Sequence, residues 1–206
     1  MEAFTTFKAI GIPIDIVNCD TDQIVPARFL RLLRTDPGYD RYLFHDLRFD
    51  ENGKERQDFI FNRAPYRDGG IIVADLNWGC GSSREQAVYV LVANGIRAVL
   101  APSFGDIHFS NCTKQGVLPV RLRREDCDTL RRQLHETPGA EIAIDLDAQS
   151  VTGPDGKSYG FEIDPFLKYR LLNGLDDIAV TLQYEAELSA FEKRHAADYD
   201  WLAVQP

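Results

Sequence analysis

The stretch GIIVADLNWGCGSSREQAVYVLVANGIRAVLAPSFGDIHFSNCTKQGVLPVRL, residues 70–122, decides the fold class. It opens on Gly70-Ile71-Ile72-Val73-Ala74, a short β-branched run of the kind that forms a buried strand. Residues 83–94 place Ala87, Val88, Leu91 and Val92 at helical spacing, and Gly95 is the expected stop. Residues 96–101 read as a second strand, 103–115 as a second helix and 117–122 as a third strand. Strand, helix, strand, helix, strand over this length predicts a parallel α/β unit.

The flanks are less regular. Residues 7–16 read as a strand broken by Gly11 and Pro13, followed by the polar cluster Asn18-Cys19-Asp20-Thr21-Asp22. A helix is predicted over 26–33, with Pro26 at its start. Turn formers and charges dominate 35–54, which reads as a long loop with short elements. Beyond the parallel unit, residues 124–136 read as a helix. Residues 141–146 and 159–163 read as a hairpin around Gly153-Pro154-Asp155-Gly156, and helices are predicted over 165–172 and 184–195. No linker divides the chain, so one domain over 1–206 is expected, with a helical extension from about 184.

Bulk properties exclude some functions. Of 206 residues, 44% are hydrophobic, enough for a sizeable core, and the net charge of −9 argues against general nucleic-acid binding. No apolar run reaches the roughly 20 residues of a membrane span, and no secretory signal is visible, so a cytoplasmic protein is expected. Cys19, Cys80, Cys112 and Cys127 form no CxxC pair. They match neither a zinc site nor a self-contained iron–sulfur site and read as free thiols.

Chemistry concentrates in Asn77-Trp78-Gly79-Cys80-Gly81-Ser82-Ser83-Arg84-Glu85. Gly79 and Gly81 permit close ligand approach, and a helix starting after the turn would aim free N–H groups at it. Ser82 and Ser83 add hydroxyls, while Arg84 adds a fork suited to a carboxylate. The same residues are also a capping box, Ser82 capping and Glu85 reaching back, with no ligand at all. Spacing alone leaves both readings open. It does exclude a P-loop and a hydrolase nucleophile elbow.

The nine residues resemble the Gly-Ser-Ser-Arg-Glu signature of the aconitase superfamily, in the form found in isopropylmalate dehydratase small subunits. Residues 18–26, 101–107 with Asn111 and 116–119, and 172–178 resemble further segments of that family in the same order. The resemblance covers nearly the whole chain. It implies an α/β fold, an aconitase-type swivelling domain with a mixed parallel sheet flanked by helices and an irregular N-terminal part. It implies a hydro-lyase interconverting 2- and 3-isopropylmalate in leucine biosynthesis, active only with a large subunit that supplies a [4Fe–4S] cluster. No cofactor or metal is then expected on this chain.

By position in the motif, Ser82 would take the carbon-bound proton, and Gly81, Ser83 and Arg84 would bind a small dicarboxylic acid. Asp20, Thr21 and Asp22 would lie near the site. They are otherwise an Asx-type turn before the next helix. Arg34 and Arg41 fall in the family's specificity loop, with a solvated role as the alternative. His108 reads as structural. The family motif continues with His where this chain has Gln86. That departure keeps open a related alkylmalate dehydratase, a catalytically lost binding paralogue, or a small-acid binding module without metal.

Overall fold

The structure is a computed structural model that describes residues 1–82, 84–199 and 201. In chain order the elements are β1 (Thr6–Ile14), α1 (Thr21–Ile24), α2 (His45–Arg48), β2 (Ile71–Ala74), α3 (Gln86–Ala93), β3 (Ala98–Ala101) and α4 (Asp106–Lys114). There follow β4 (Leu118–Arg121), α5 (Arg124–Glu136), β5 (Glu141–Asp145), β6 (Ser150–Thr152), β7 (Ser158–Gly160), α6 (Pro165–Leu172), α7 (Asp177–Leu182) and α8 (Glu185–Asp198). Among the described residues seven strands form one mixed sheet in the order β4-β3-β2-β1-β5-β6-β7.

β1 joins the two halves. Its residues Gly11 to Ile14 pair in parallel with β2, and Thr6 to Ile10 pair antiparallel with β5. The expected break in this strand does not occur. Gly11 N–H donates to Ala140 O, so the Pro13 nitrogen faces the same side, past the end of β5, where no ladder bond is lost. A side chain at Gly11 would lie 2.6 Å from Leu134, so glycine here lets α5 rest on the sheet.

The parallel strands are buried on both faces, as their continuous apolar runs predict. Ile72, Ala74, Val99 and Ala101 pack with α3, α4 and the irregular N-terminal part. Ile71, Val73, Ala98 and Leu100 pack with Cys127, Leu130 and Leu134 of α5 and with Phe4.

Several expectations are corrected. The segment after Pro26 makes only a 3-10 turn, Ala27–Phe29, because its amides bond three residues back and Asp36 captures the Leu33 N–H at 2.8 Å. The hairpin around Gly153 joins β6 to β7, whereas β5 pairs with β6, a strand that Ser150-Val151-Thr152 is too short to announce. Helix α3 starts at Gln86, four residues beyond Ser82, and α7 was not foreseen. The last helix, expected over 184–195, runs Glu185–Asp198; residues 202–206 of the expected extension lie outside the described residues.

Candidate active site

The carboxyl ends of β1, β2 and β3 release three loops, residues 15–20, 75–85 and 102–105. Ligand sites of parallel sheets form at this end. The loops extend the parallel pairing past the strands. Isolated bridges join Asp20 to Cys80 and Trp78 to Phe104. Gly79 N–H donates to Cys19 O at 2.7 Å, Thr21 N–H to Cys80 O at 3.1 Å, and Gly105 N–H to Trp78 O at 2.8 Å. Asn77 Nδ2 donates to Asn18 Oδ1 at 2.8 Å, and both asparagines sit in the left-handed region. No local sequence signal announces this pairing.

Beneath the turn lies Trp78, fully buried, edge-on to Phe44 and His108. Gly79 has φ +69°, and a Cβ there would lie 2.2 Å from the His108 ring. His108 is structural, as expected. Its two ring nitrogens have no hydrogen-bond partner among the described residues, and burial pushes its pKa down to about 4. The folded protein therefore keeps a neutral ring while the unfolded chain protonates at its ordinary value near 6.5. Stability from this residue is fully present above about pH 6.5 and declines as the pH falls toward 4, by on the order of 3 kcal/mol. His108→Asn is expected to flatten the pH dependence of urea unfolding in that window. An unchanged slope would count against the buried neutral ring.

The site residues sit on this foundation. Ser82 is exposed, and its carbonyl accepts a 2.5 Å hydrogen bond from Thr21 Oγ1, a side chain only 1% exposed. Arg84 Nη1 forms an ion pair with the Asp22 carboxylate without an aligned hydrogen bond, and it has no hydrogen-bond acceptor among the described residues. Thr21 and Asp22 are thus brought to Ser82 and Arg84. Gly81 takes φ +82° beside Asp20. The role predicted for Ser83 falls outside the described residues.

The capping box is real but lies elsewhere. Asp20 accepts from Gln23 N at 2.8 Å while Gln23 Oε1 accepts from Asp20 N at 3.0 Å, at the start of α1. Ser82 caps nothing: residue 85 occupies the N-cap position of α3, with no side-chain cap bond. Glu85 instead accepts from Gln115 Nε2 at 2.8 Å. Gln86 Nε2 reaches Leu30 O at 3.4 Å, tying the helix start to the N-terminal loop. Arg34 stacks on Tyr89 at 4.0 Å and Arg41 on Phe49 at 5.1 Å. Among the described residues neither forms a hydrogen bond or ion pair with Ser82 or Arg84.

The thiols do not assemble a metal site. Burial pushes Cys19 and Cys127 up to about 12 and raises Cys112 further, while burial and then the Asp20 charge raise Cys80. A thiol must ionise to ligate a metal. Among the described residues no three His, Cys, Asp or Glu side chains group as a ligand set.

Comparison with known proteins identifies the family. Family models match residues 1–125 (Aconitase C-terminal domain), 128–165 (LeuD_N) and 177–205 (the C-terminal domain of the 3-isopropylmalate dehydratase small subunit). The chain is 46% identical to the 3-isopropylmalate dehydratase small subunit of Paramagnetospirillum magneticum, across 98% of this chain and 100% of that one. It is 44% identical to the protein of the same name from Jannaschia sp., with the same coverage. The crystal structure of 3-isopropylmalate dehydratase (leuD) from Methanocaldococcus jannaschii superposes with a TM-score of 0.63 at 29% identity, covering 90% of this chain and 98% of that one.

Proposed function

The chain belongs to the family of 3-isopropylmalate dehydratase small subunits within the aconitase superfamily, and on that premise we propose that it is the small subunit of a hydro-lyase interconverting 2- and 3-isopropylmalate in leucine biosynthesis. The observation that carries this reading is the juxtaposition of Ser82 and Arg84 at the carboxyl end of the sheet, held by Thr21 and Asp22. A [4Fe–4S] cluster, expected for this family, would supply Lewis-acid chemistry when bound. Among the described residues no three His, Cys, Asp or Glu side chains gather that could hold such a cluster, and this reading assigns it to the large-subunit partner. Among the described residues no helix is long and apolar enough to cross a membrane, and from the biosynthetic role proposed here we place the complex in the cytoplasm.

In this reading Ser82, exposed to the partner, removes the proton from the carbon next to the departing hydroxyl and returns it when water adds back. Arg84 grips a substrate carboxylate and keeps its positive charge near the Ser82 oxygen, favouring the ionised hydroxyl. The helix end plays a smaller part than the motif suggests, since α3 begins four residues further on. Thr21 is a positioning residue: buried, it fixes the Ser82 backbone. Gly81 keeps the turn free of side-chain bulk, and Ser83 completes the carboxylate site. Asp20 holds the α1 start against the turn.

Arg84 is mostly shielded (14% exposed), whereas Asp22 is 54% exposed, so the two are not equal partners. An exposed ion pair stabilises by less than about 1 kcal/mol, and a lost charged hydrogen bond to substrate costs about 2–3 kcal/mol. Arg84→Gln is expected to lower kcat/KM roughly 100-fold and Asp22→Asn less than about fivefold. Equal losses would show that Asp22, rather than substrate, sets the guanidinium.

The whole reading is tested by combining the chain with its large subunit, restoring iron and sulfide, and assaying a panel of alkylmalates. Preference for 2-isopropylmalate supports it. Preference for another alkylmalate assigns the sister activity, and absence of turnover with a loaded large subunit sinks the enzyme reading.

A further inference from the structure

Helices α7 and α8 bury no residue of their own. Yet they are rich in apolar and aromatic side chains. Ile178 is 72% exposed, and Leu182 lies one turn beyond it, also exposed. Along α8 and its caps, Tyr184, Leu188, Phe191, His195 and Tyr199 recur every three or four residues, which places them on one face. Their rings form a ladder: Phe191 to His195 at 5.5 Å, His195 to Tyr199 at 4.9 Å, and Tyr199 to Trp201 at 6.4 Å. A helix of this length is marginal alone in water and gains stability by covering an apolar face. An exposed stripe of this kind marks an interaction surface.

We propose that residues 177–199 form an arm that docks in an apolar groove with a cationic rim on the large subunit. This rests on the function proposed above. Three observations choose that occupant. First, residues 177–205 match a family model of their own, described as the C-terminal domain of the 3-isopropylmalate dehydratase small subunit. Second, residues 176–198 carry six carboxylates against two cations, Lys193 and Arg194, so a second copy would set like charge against like, whereas a cationic rim complements it.

Third, the root of the arm adjoins the site. Asp177 pairs with Arg170 at 2.6 Å, and Asp176 lines a cavity of about 350 Å³ together with Arg34, Lys114 and Gln115. Gln115 bonds Glu85, the neighbour of Arg84. These contacts link the root of the arm to the neighbour of Arg84, and the proposal puts the partner that covers Ser82 on the arm as well. The solvated reading of Arg34 gains a function here, since it stands between the site and the arm.

The test uses the full chain with the double substitution Leu188→Asp and Phe191→Asp. Both residues are exposed, so circular dichroism and Tm stay as in the wild type. Titration calorimetry against the large subunit is expected to show affinity lowered roughly 100-fold, because buried apolar anchors dominate interfaces. In turnover assays kcat recovers at saturating small subunit, while the half-saturating concentration rises by a similar factor. Wild-type affinity in the variant would overturn the arm as the docking element, as would a variant that loses only self-association. No binding by the wild-type chain would instead remove the function on which the arm rests, and the arm with it.

Discussion

Ser82→Ala is expected to abolish turnover in the assembled enzyme while leaving the fold and the affinity for the large subunit as they are. The expected loss in kcat is on the order of 10³-fold or more, the scale associated with removing a proton-transferring group. The small effect on structure follows from what holds the residue. Ser82 is exposed, and the hydrogen bond from Thr21 runs to its backbone carbonyl, which the alanine variant keeps. Stopped reactions with 2-isopropylmalate, run alongside calorimetric titration of the large subunit, measure both quantities. Retained turnover would remove Ser82 from the proton transfer. Lost binding would mean that Ser82 serves the interface instead.

Gly79→Ala has the largest expected effect on stability. Two costs combine at this residue. The left-handed backbone, φ +69°, disfavours any side chain by about 1–2 kcal/mol. The new Cβ would also stand 2.2 Å from the His108 ring and 2.7 Å from its Cβ, a collision that forces overpacking worth about 1–3 kcal/mol. His108 has little room to yield, being 1% exposed inside α4. The sum, roughly 2–5 kcal/mol, corresponds to a fall in Tm of about 10 °C for a chain of this size. A melting temperature within about 3 °C of the wild type would mean that the turn and α4 separate more easily than their packing indicates. Gly81→Ala carries the backbone cost, but its Cβ would meet Asp20 Cβ at an ordinary contact distance of 3.4 Å, so it is the milder control.

Much of the fold was readable because the local signals and the tertiary structure agree. The run Ile71–Ala74 is apolar at every residue because both of its faces are buried. The helix Arg124–Glu136 matches its prediction residue for residue. Segments lacking period or length were misread. Ser150–Thr152 is three residues long and exists as a strand only because β5 and β7 flank it. Pro26 announces a helix start, but the Phe29 and Leu30 amides bond three residues back, which limits the segment to a 3-10 turn.

The site divides in the same way. The motif supplied Ser82 and Arg84, and the Asp-Thr-Asp segment proved to be in contact with them. Ser82 does not cap α3 because that helix begins at Gln86, with Glu85 at its N-cap, a boundary that the local pattern places three residues too early. His108 under Gly79 and Gln86 against Leu30 depend on contacts between distant segments, which spacing does not encode.

The zipping of three loops through Asp20–Cys80 and Trp78–Phe104 has a consequence for protein engineering. The nine-residue signature is not a portable cassette. Grafted alone onto another α/β scaffold, it would lose Thr21, which fixes the serine carbonyl, and the imidazole floor on which Gly79 lies. The smallest transplantable unit is discontinuous: residues 18–25, 77–86 and 103–112, carried with the ends of three neighbouring strands.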